Sequence, residues 1–129
     1  MFSLKDYEII HEKSPKDGVK IYSAKHVHSS SRVNIYFLPV AEKAKSFTDA
    51  IYQTYLPLQK LTSPHVARVY AIKKNSDATT FGIAFIVEEV EGILLKKYLI
   101  KHHPMAVEKF IHIAIQLVTG VNDLHKAGL

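Results

Sequence analysis

The spacing of apolar side chains changes near residue 46 of this chain, and that change limits what it can fold into. Before residue 46 the pattern has a period of two, with residues 19–27 alternating apolar and polar side chains and residues 32–40 rich in β-branched and aromatic residues. After residue 46, Phe47, Ala50, Ile51, Tyr55, Leu58 and Leu61 recur every three or four positions. A period of two buries one face of a strand and a period near 3.6 buries one stripe of a helix. The opening segment therefore predicts strands that leave one face to cover, and the segment behind it predicts the helix that covers them.

Turn chemistry divides the strands. Residues 7–11 read as an opening strand, residues 14–18 (Ser14, Pro15, Lys16, Asp17, Gly18) as a turn, and residues 29–31, three serines, as a second turn. Ser46 with Asp49 three positions later has the spacing of a helix capping box, so the helix is expected over residues 46–61, bent at Pro57, which lacks an amide hydrogen. Apolar runs at 66–72 and 81–90, separated by a polar turn at 73–80, predict a second hairpin. A short helix is expected over 94–101, ended by His102, His103 and Pro104, and a long one from about residue 105. In that last helix Val107, Phe110, Ile111, Ile113, Ala114, Leu117, Val118, Val121 and Leu124 cover most of the circumference, leaving a polar stripe at Lys109, His112, Gln116 and Asp123. Such a helix requires neighbours on several sides. The fold class is α+β: a five-stranded antiparallel sheet with one covering helix, then two C-terminal helices.

Composition excludes more than it assigns. With 129 residues, 47% hydrophobic and 22% charged, the chain suits a small folded unit. The formal net charge is +5, but acids are interleaved with bases throughout, which is not the one-sided basic face of a nucleic-acid binder. The absence of cysteine removes disulfides and thiolate metal sites. Charged residues through positions 1–20 interrupt the apolar core of a signal peptide, and the longest apolar stretches are too short or too punctuated to span a bilayer. A cytoplasmic location and no membrane partner are expected. His26 with His28, and His102 with His103, lack carboxylates at a ligand spacing, so neither pair is read as a metal site.

Several local motifs resemble protein kinases. Lys20-Ile21-Tyr22-Ser23-Ala24 is similar to the Val-Tyr-x-Ala of a kinase second strand. The run from Leu61 through Pro64, His65 and Val66 to Tyr70 resembles the segment that follows the kinase regulatory helix, and the run from Phe85 through Glu88 and Val90 to Gly92 resembles the fifth strand and hinge. Gln116, Gly120, Leu124-His125 and Gly128-Leu129 resemble the end of the helix before the catalytic loop. The resemblance implies a small lobe over residues 1–90, and a hinge with the first large-lobe helices over 91–129. Neither His-Arg-Asp nor Asp-Phe-Gly follows, so it implies an N-terminal fragment that is not catalytically competent as it stands.

The nucleotide site is where this chain departs from the family. Ser14, Lys16 and Val19 stand where the resemblance places the glycines of the phosphate-covering loop, with Gly18 off register. Tyr36 stands at the lysine, Thr54 at its partner glutamate, and Leu94 where an acid often holds the ribose. What the resemblance leaves is a degenerate pocket of Lys16, Gly18, Ile21, Asn34, Tyr36, Val87, Glu88 and Val90, with the Glu88 carbonyl and Val90 amide positioned for an adenine edge. ATP is expected to bind weakly or not at all. His125 matches a packing histidine. Glu88, Glu89 and Glu91 suit either a partner surface or protection of an exposed sheet edge.

The preferred expectation is therefore a pseudokinase or divergent kinase acting as a regulatory interaction module. Its expected partner is another protein or a missing large lobe, with a homodimer through the closing helix. The enzyme alternative is the small lobe of an active Ser/Thr kinase in which Lys16 or Lys20 replaces the missing lysine. A free-standing basic adaptor or nucleic-acid-binding domain is the third reading, resting on the pI of about 9.3 alone.

Overall fold

The computed structural model describes residues 2–41, 44–76 and 81–129, with only the backbone of Lys45 and Ser76. Five strands, β1 (Tyr7–Lys16), β2 (Val19–His26), β3 (Arg32–Pro39), β4 (Val69–Ser76) and β5 (Phe81–Glu88), form one antiparallel sheet in the order β1-β2-β3-β5-β4. Between β3 and β4 lies α1 (Lys45–Tyr55), followed by a 3-10 turn over Leu56–Gln59; α2 (Leu95–Lys101) and α3 (Val107–Lys126) close the chain. The fold class read from the sequence is the one observed.

Alternation sorts the side chains onto two faces. One carries Tyr22, Ala24, Val33, Ile35, Phe37, Ala84 and Ile86, all buried, under a cover supplied by the N-terminal residues Phe2 and Leu4. Phe2 stacks on Tyr22 with ring centroids 4.6 Å apart and meets Phe37 at 4.7 Å. Burial and then the Glu12 carboxylate opposite push the Tyr22 phenol above its ordinary pKa. On the other face Val69, Ile72 and Ile83 are buried beneath Ile51, Tyr52 and Leu58 of α1 and the 3-10 turn. Lys74 pairs with Asp49 of α1 and places its ammonium 4.8 Å from the Tyr52 ring centre, pinning the helix to β4.

Several boundaries differ from the sequence reading, each for a local reason. The first hairpin turn is only Asp17-Gly18, with φ of 52° and 79°, and Lys16 pairs directly with Val19. Two adjacent left-handed residues make the tight turn that matches strand twist, so β1 runs on to Lys16 instead of ending at residue 11. The expected capping box does not form: α1 begins one residue earlier, its N-cap is Ala44 without a side-chain bond, and Asp49 turns to Lys74. The α-helix ends at Tyr55 instead of running bent to residue 61. Pro57 sits in the first turn of the 3-10 segment, where its missing amide hydrogen costs little. β4 begins at Val69 and continues through residues 73–76, which the sequence reading assigned to a turn. The remainder of that turn, 77–80, lies outside the described residues.

Gly82 is where β5 crosses closest to β3. A Cβ there would lie 2.2 Å from the Leu38 carbonyl oxygen and 2.8 Å from Cζ of the buried Phe37. Gly82→Ala is expected to lower stability by about 1–3 kcal/mol through overpacking. Gly18→Ala, at a positive φ with open space around it, is expected to cost about 1 kcal/mol. Urea unfolding followed by circular dichroism measures both, and a smaller loss at Gly82 than at Gly18 would contradict this packing.

Candidate functional site: a polar sheet face and the groove beside it

Strand register defines the first candidate. Lys13, Ile21, Tyr36, Phe85 and Ile72 lie opposite one another in a single row across all five strands, and His11, Ser23, Asn34, Val87 and Val69 form the next row. Directly opposed residues share a face, so Ile21, Asn34, Tyr36 and Val87 stand together on the side that α1 covers at its β4 edge. Lys16 and Gly18 lie at the exposed hairpin end. Glu88 stands opposite Val33 and so belongs to the other face of the sheet, and Val90 lies beyond β5 and is exposed.

Lys13 is the residue the sequence reading missed. Its ammonium donates to Asn34 Oδ1 at 2.9 Å, a half-buried contact between β1 and β3. The strand had been expected to stop at residue 11; once it extends, the same period of two that places Ile21 and Tyr36 places Lys13 beside them. Ser23, opposite Asn34, is wholly buried, and among the described residues its hydroxyl has no hydrogen-bond partner. Lys20, opposite Phe37, is on the far face. Thr54, which the resemblance aligned with a glutamate, is exposed and donates its hydroxyl back to the Ala50 carbonyl at 2.8 Å. Tyr55, one residue later, meets Phe85 edge-on at 5.9 Å, next to Tyr36 in the row.

The acidic segment at the end of β5 is not an edge. β5 lies between β3 and β4, so protection against edge pairing is not its role. Glu88 instead holds the loop before β4: its amide donates to the Arg68 carbonyl and its Oε1 accepts from the Arg68 amide, both at 2.9 Å. Glu89 pairs with Arg32 at 3.4 Å.

The second candidate is a groove of about 1240 Å³ between residues 62–68, the segment after β5, α2 and α3. Its walls are joined at one end of α3. Ser63 donates to Asp123 Oδ2 at 2.6 Å, and a Cβ on the buried Gly120 would lie 2.9 Å from the His65 carbonyl oxygen, so the absence of a side chain lets helix and loop touch. The rest of α3 is open. Phe110, Leu117 and Val121 are 59%, 53% and 50% exposed, so the helix expected to have neighbours on several sides has its apolar surface bare. His125, expected to pack, is exposed.

His26 and His28 meet at 5.6 Å between ring centres, with Ser29 at His26 Nδ1 and Asp6 at 3.8 Å from His28. Among the described residues there is no group of three or more metal-ligating side chains, and no helix long and apolar enough to cross a membrane. Burial, and then Asp6, push the Tyr7 phenol upward. No protein-family model matches the chain, and no curated protein does.

Because a hydroxyl-to-carboxylate bond and a close glycine contact join α3 to the loop before β4, Ser63→Ala is expected to loosen it selectively, at a cost of about 1–3 kcal/mol. Amide hydrogen exchange should accelerate along α3 while β3 and β5 keep their protection. Uniform acceleration across the sheet would show that α3 is part of the main cooperative unit.

Proposed function

We propose that the chain is a protein-kinase-like small lobe, with the first helices of a large lobe, that works as an interaction module and not as a phosphoryl-transfer site. The observation that carries this reading is the state of the row through Lys13, Ile21, Tyr36 and Phe85. On the face where a kinase small lobe takes its nucleotide, a tyrosine stands at the lysine position and a back-bonded threonine at the glutamate position. In that row the cation is Lys13, and it is tied to Asn34. The strand order and the single helix between β3 and β4 support the kinship. Phosphoryl transfer needs glycines that admit phosphates, a paired lysine, a base and metal ligands, and the residues described offer a different set.

Calorimetry with Mg-ATP is expected to show no saturable heat in the micromolar range, with Lys13→Ala indistinguishable from the parent chain. The enzyme reading has one observation in its favour, that Lys13 places an ammonium on the nucleotide-type face. It predicts the opposite result, tight Mg-ATP binding lost in Lys13→Ala.

The bare apolar surface of α3 supports self-association as part of the module's behaviour, since patches beyond a few hundred Å² are seldom left open on monomers. We propose a homodimer in which Phe110, Ile113, Leu117 and Val121 meet a second copy. Light scattering across a dilution series should give a dimer mass that falls to the monomer on dilution, and Phe110→Asp with Val121→Asp should give the monomer throughout. A monomer at every concentration for the parent chain would refute the dimer.

A further inference from the structure

The groove beside α3 has a lining whose charge and shape single out one kind of occupant. Its apolar surface is aliphatic, from Val66, Val90, Ile93, Leu95, Ile113 and Leu117. Cationic side chains stand on both walls, Arg68 on the loop side and Lys109 on α3, joined by His65 and His112. Glu88 is the one carboxylate of the lining, and its Oε1 already accepts from the Arg68 amide. Among the described residues the Arg68 guanidinium and the Lys109 ammonium have no carboxylate partner. Lys96, Lys97 and Lys101 add positive charge along α2, against Glu91 on the linker before it.

We propose that this groove docks an acidic amphipathic helix of a partner protein, leucines against the aliphatic floor and glutamates toward Arg68 and Lys109. This rests on the reading of the chain as an interaction module and names the partner's chemistry; because Ile113 and Leu117 belong to both surfaces, the partner helix and a second copy compete for α3. The space is about 1240 Å³, above the roughly 300–1,000 Å³ of pockets that enclose small ligands, and it is a trough between two helices and a loop. An amphipathic helix in an apolar groove gains burial along one stripe, and flanking charges set its orientation and its choice of partner. A single-stranded nucleic acid would answer the charge but needs ring faces for its bases. The rings of the lining are Tyr98, His65 and His112; Tyr98 is already stacked with His102 at 4.1 Å and covered by the Lys109 ammonium at 5.2 Å, and it is the one large ring among them.

The test uses the full chain and a fluorescein-labelled amphipathic peptide of leucine, alanine and glutamate, read by anisotropy. Its control is the same peptide with lysine replacing glutamate. Saturable binding of the acidic peptide alone is expected, weakened about tenfold or more by Arg68→Glu with Lys109→Glu. Lys5→Glu with Lys20→Glu, an equal change of net charge away from the groove, should leave binding unchanged. The proposal is overturned if the acidic peptide fails to bind or if both charge-changed proteins lose binding equally. It is also overturned if oligo-dT competes while the peptide does not. Loss of a concentration-dependent dimer in the Arg68→Glu, Lys109→Glu protein would assign the groove to a second copy instead. Mg-ATP calorimetry on the same samples separates the two levels. Tight nucleotide binding refutes the module reading whatever the peptide does, whereas silent nucleotide with silent peptide refutes the occupant alone.

Discussion

The pairing of β3 with β5 is the interaction on which the remaining structure depends. These strands are separated in sequence by α1, the 3-10 turn and β4, yet they lie side by side with Ile35 opposite Ile86 and Phe37 opposite Ala84, all buried. Closing so long a loop costs chain entropy, which the apolar contacts of that seam must offset. Once it forms, β4 has a place only at the outer edge, and α1, joined to both, must lie across one face. The small residues at Ala84 and Gly82 are part of the same constraint, because Phe37 fills the space that larger side chains there would need.

That seam also determines what the α1-covered face presents. Pairing sets Tyr36 beside Phe85 and Asn34 beside Val87, and β2 and β1 add Ser23 and Lys13 to the same rows. Along those rows Lys13 is tied to Asn34, and among the described residues the buried Ser23 hydroxyl has no hydrogen-bond partner. A second surface lies around α2 and α3, where Ile93, Leu94, Phe110 and Val118 are exposed beside Lys96, Lys97 and Lys109.

Much of this was legible in the sequence wherever a signal was periodic and long. The two-residue pattern of β2 and β3 and the three-to-four-residue pattern of α1 and α3 identified those elements, because burial of one face imposes the period directly. What was missed depended on single local contacts. The capping box at Ser46 lost to the ion pair that Asp49 makes with Lys74, a residue 25 positions away that no local pattern reveals. The end of β1 was misplaced because Ser14 and Pro15 read as a turn, while the two-residue Asp17-Gly18 turn carried the strand past them. That error hid Lys13. The acids at the end of β5 read as edge protection because strand order is a long-range property, invisible to spacing along the chain.

The contact between Gly120 and His65 makes α3 a lever with its fulcrum near one end. From Gly120 back to Val107 the helix runs about 20 Å at 1.5 Å per residue, and a rotation of about 10° at the fulcrum moves the far end by roughly 3 Å. Lys109 and Phe110 ride on that far end, whereas Arg68 is held to the sheet through Glu88. The gap between the two cationic walls is thus governed by the angle of a single helix. A rotation begun at the loop before β4 would therefore be enlarged at the opposite end of α3, where Lys109 stands over Tyr98 of α2.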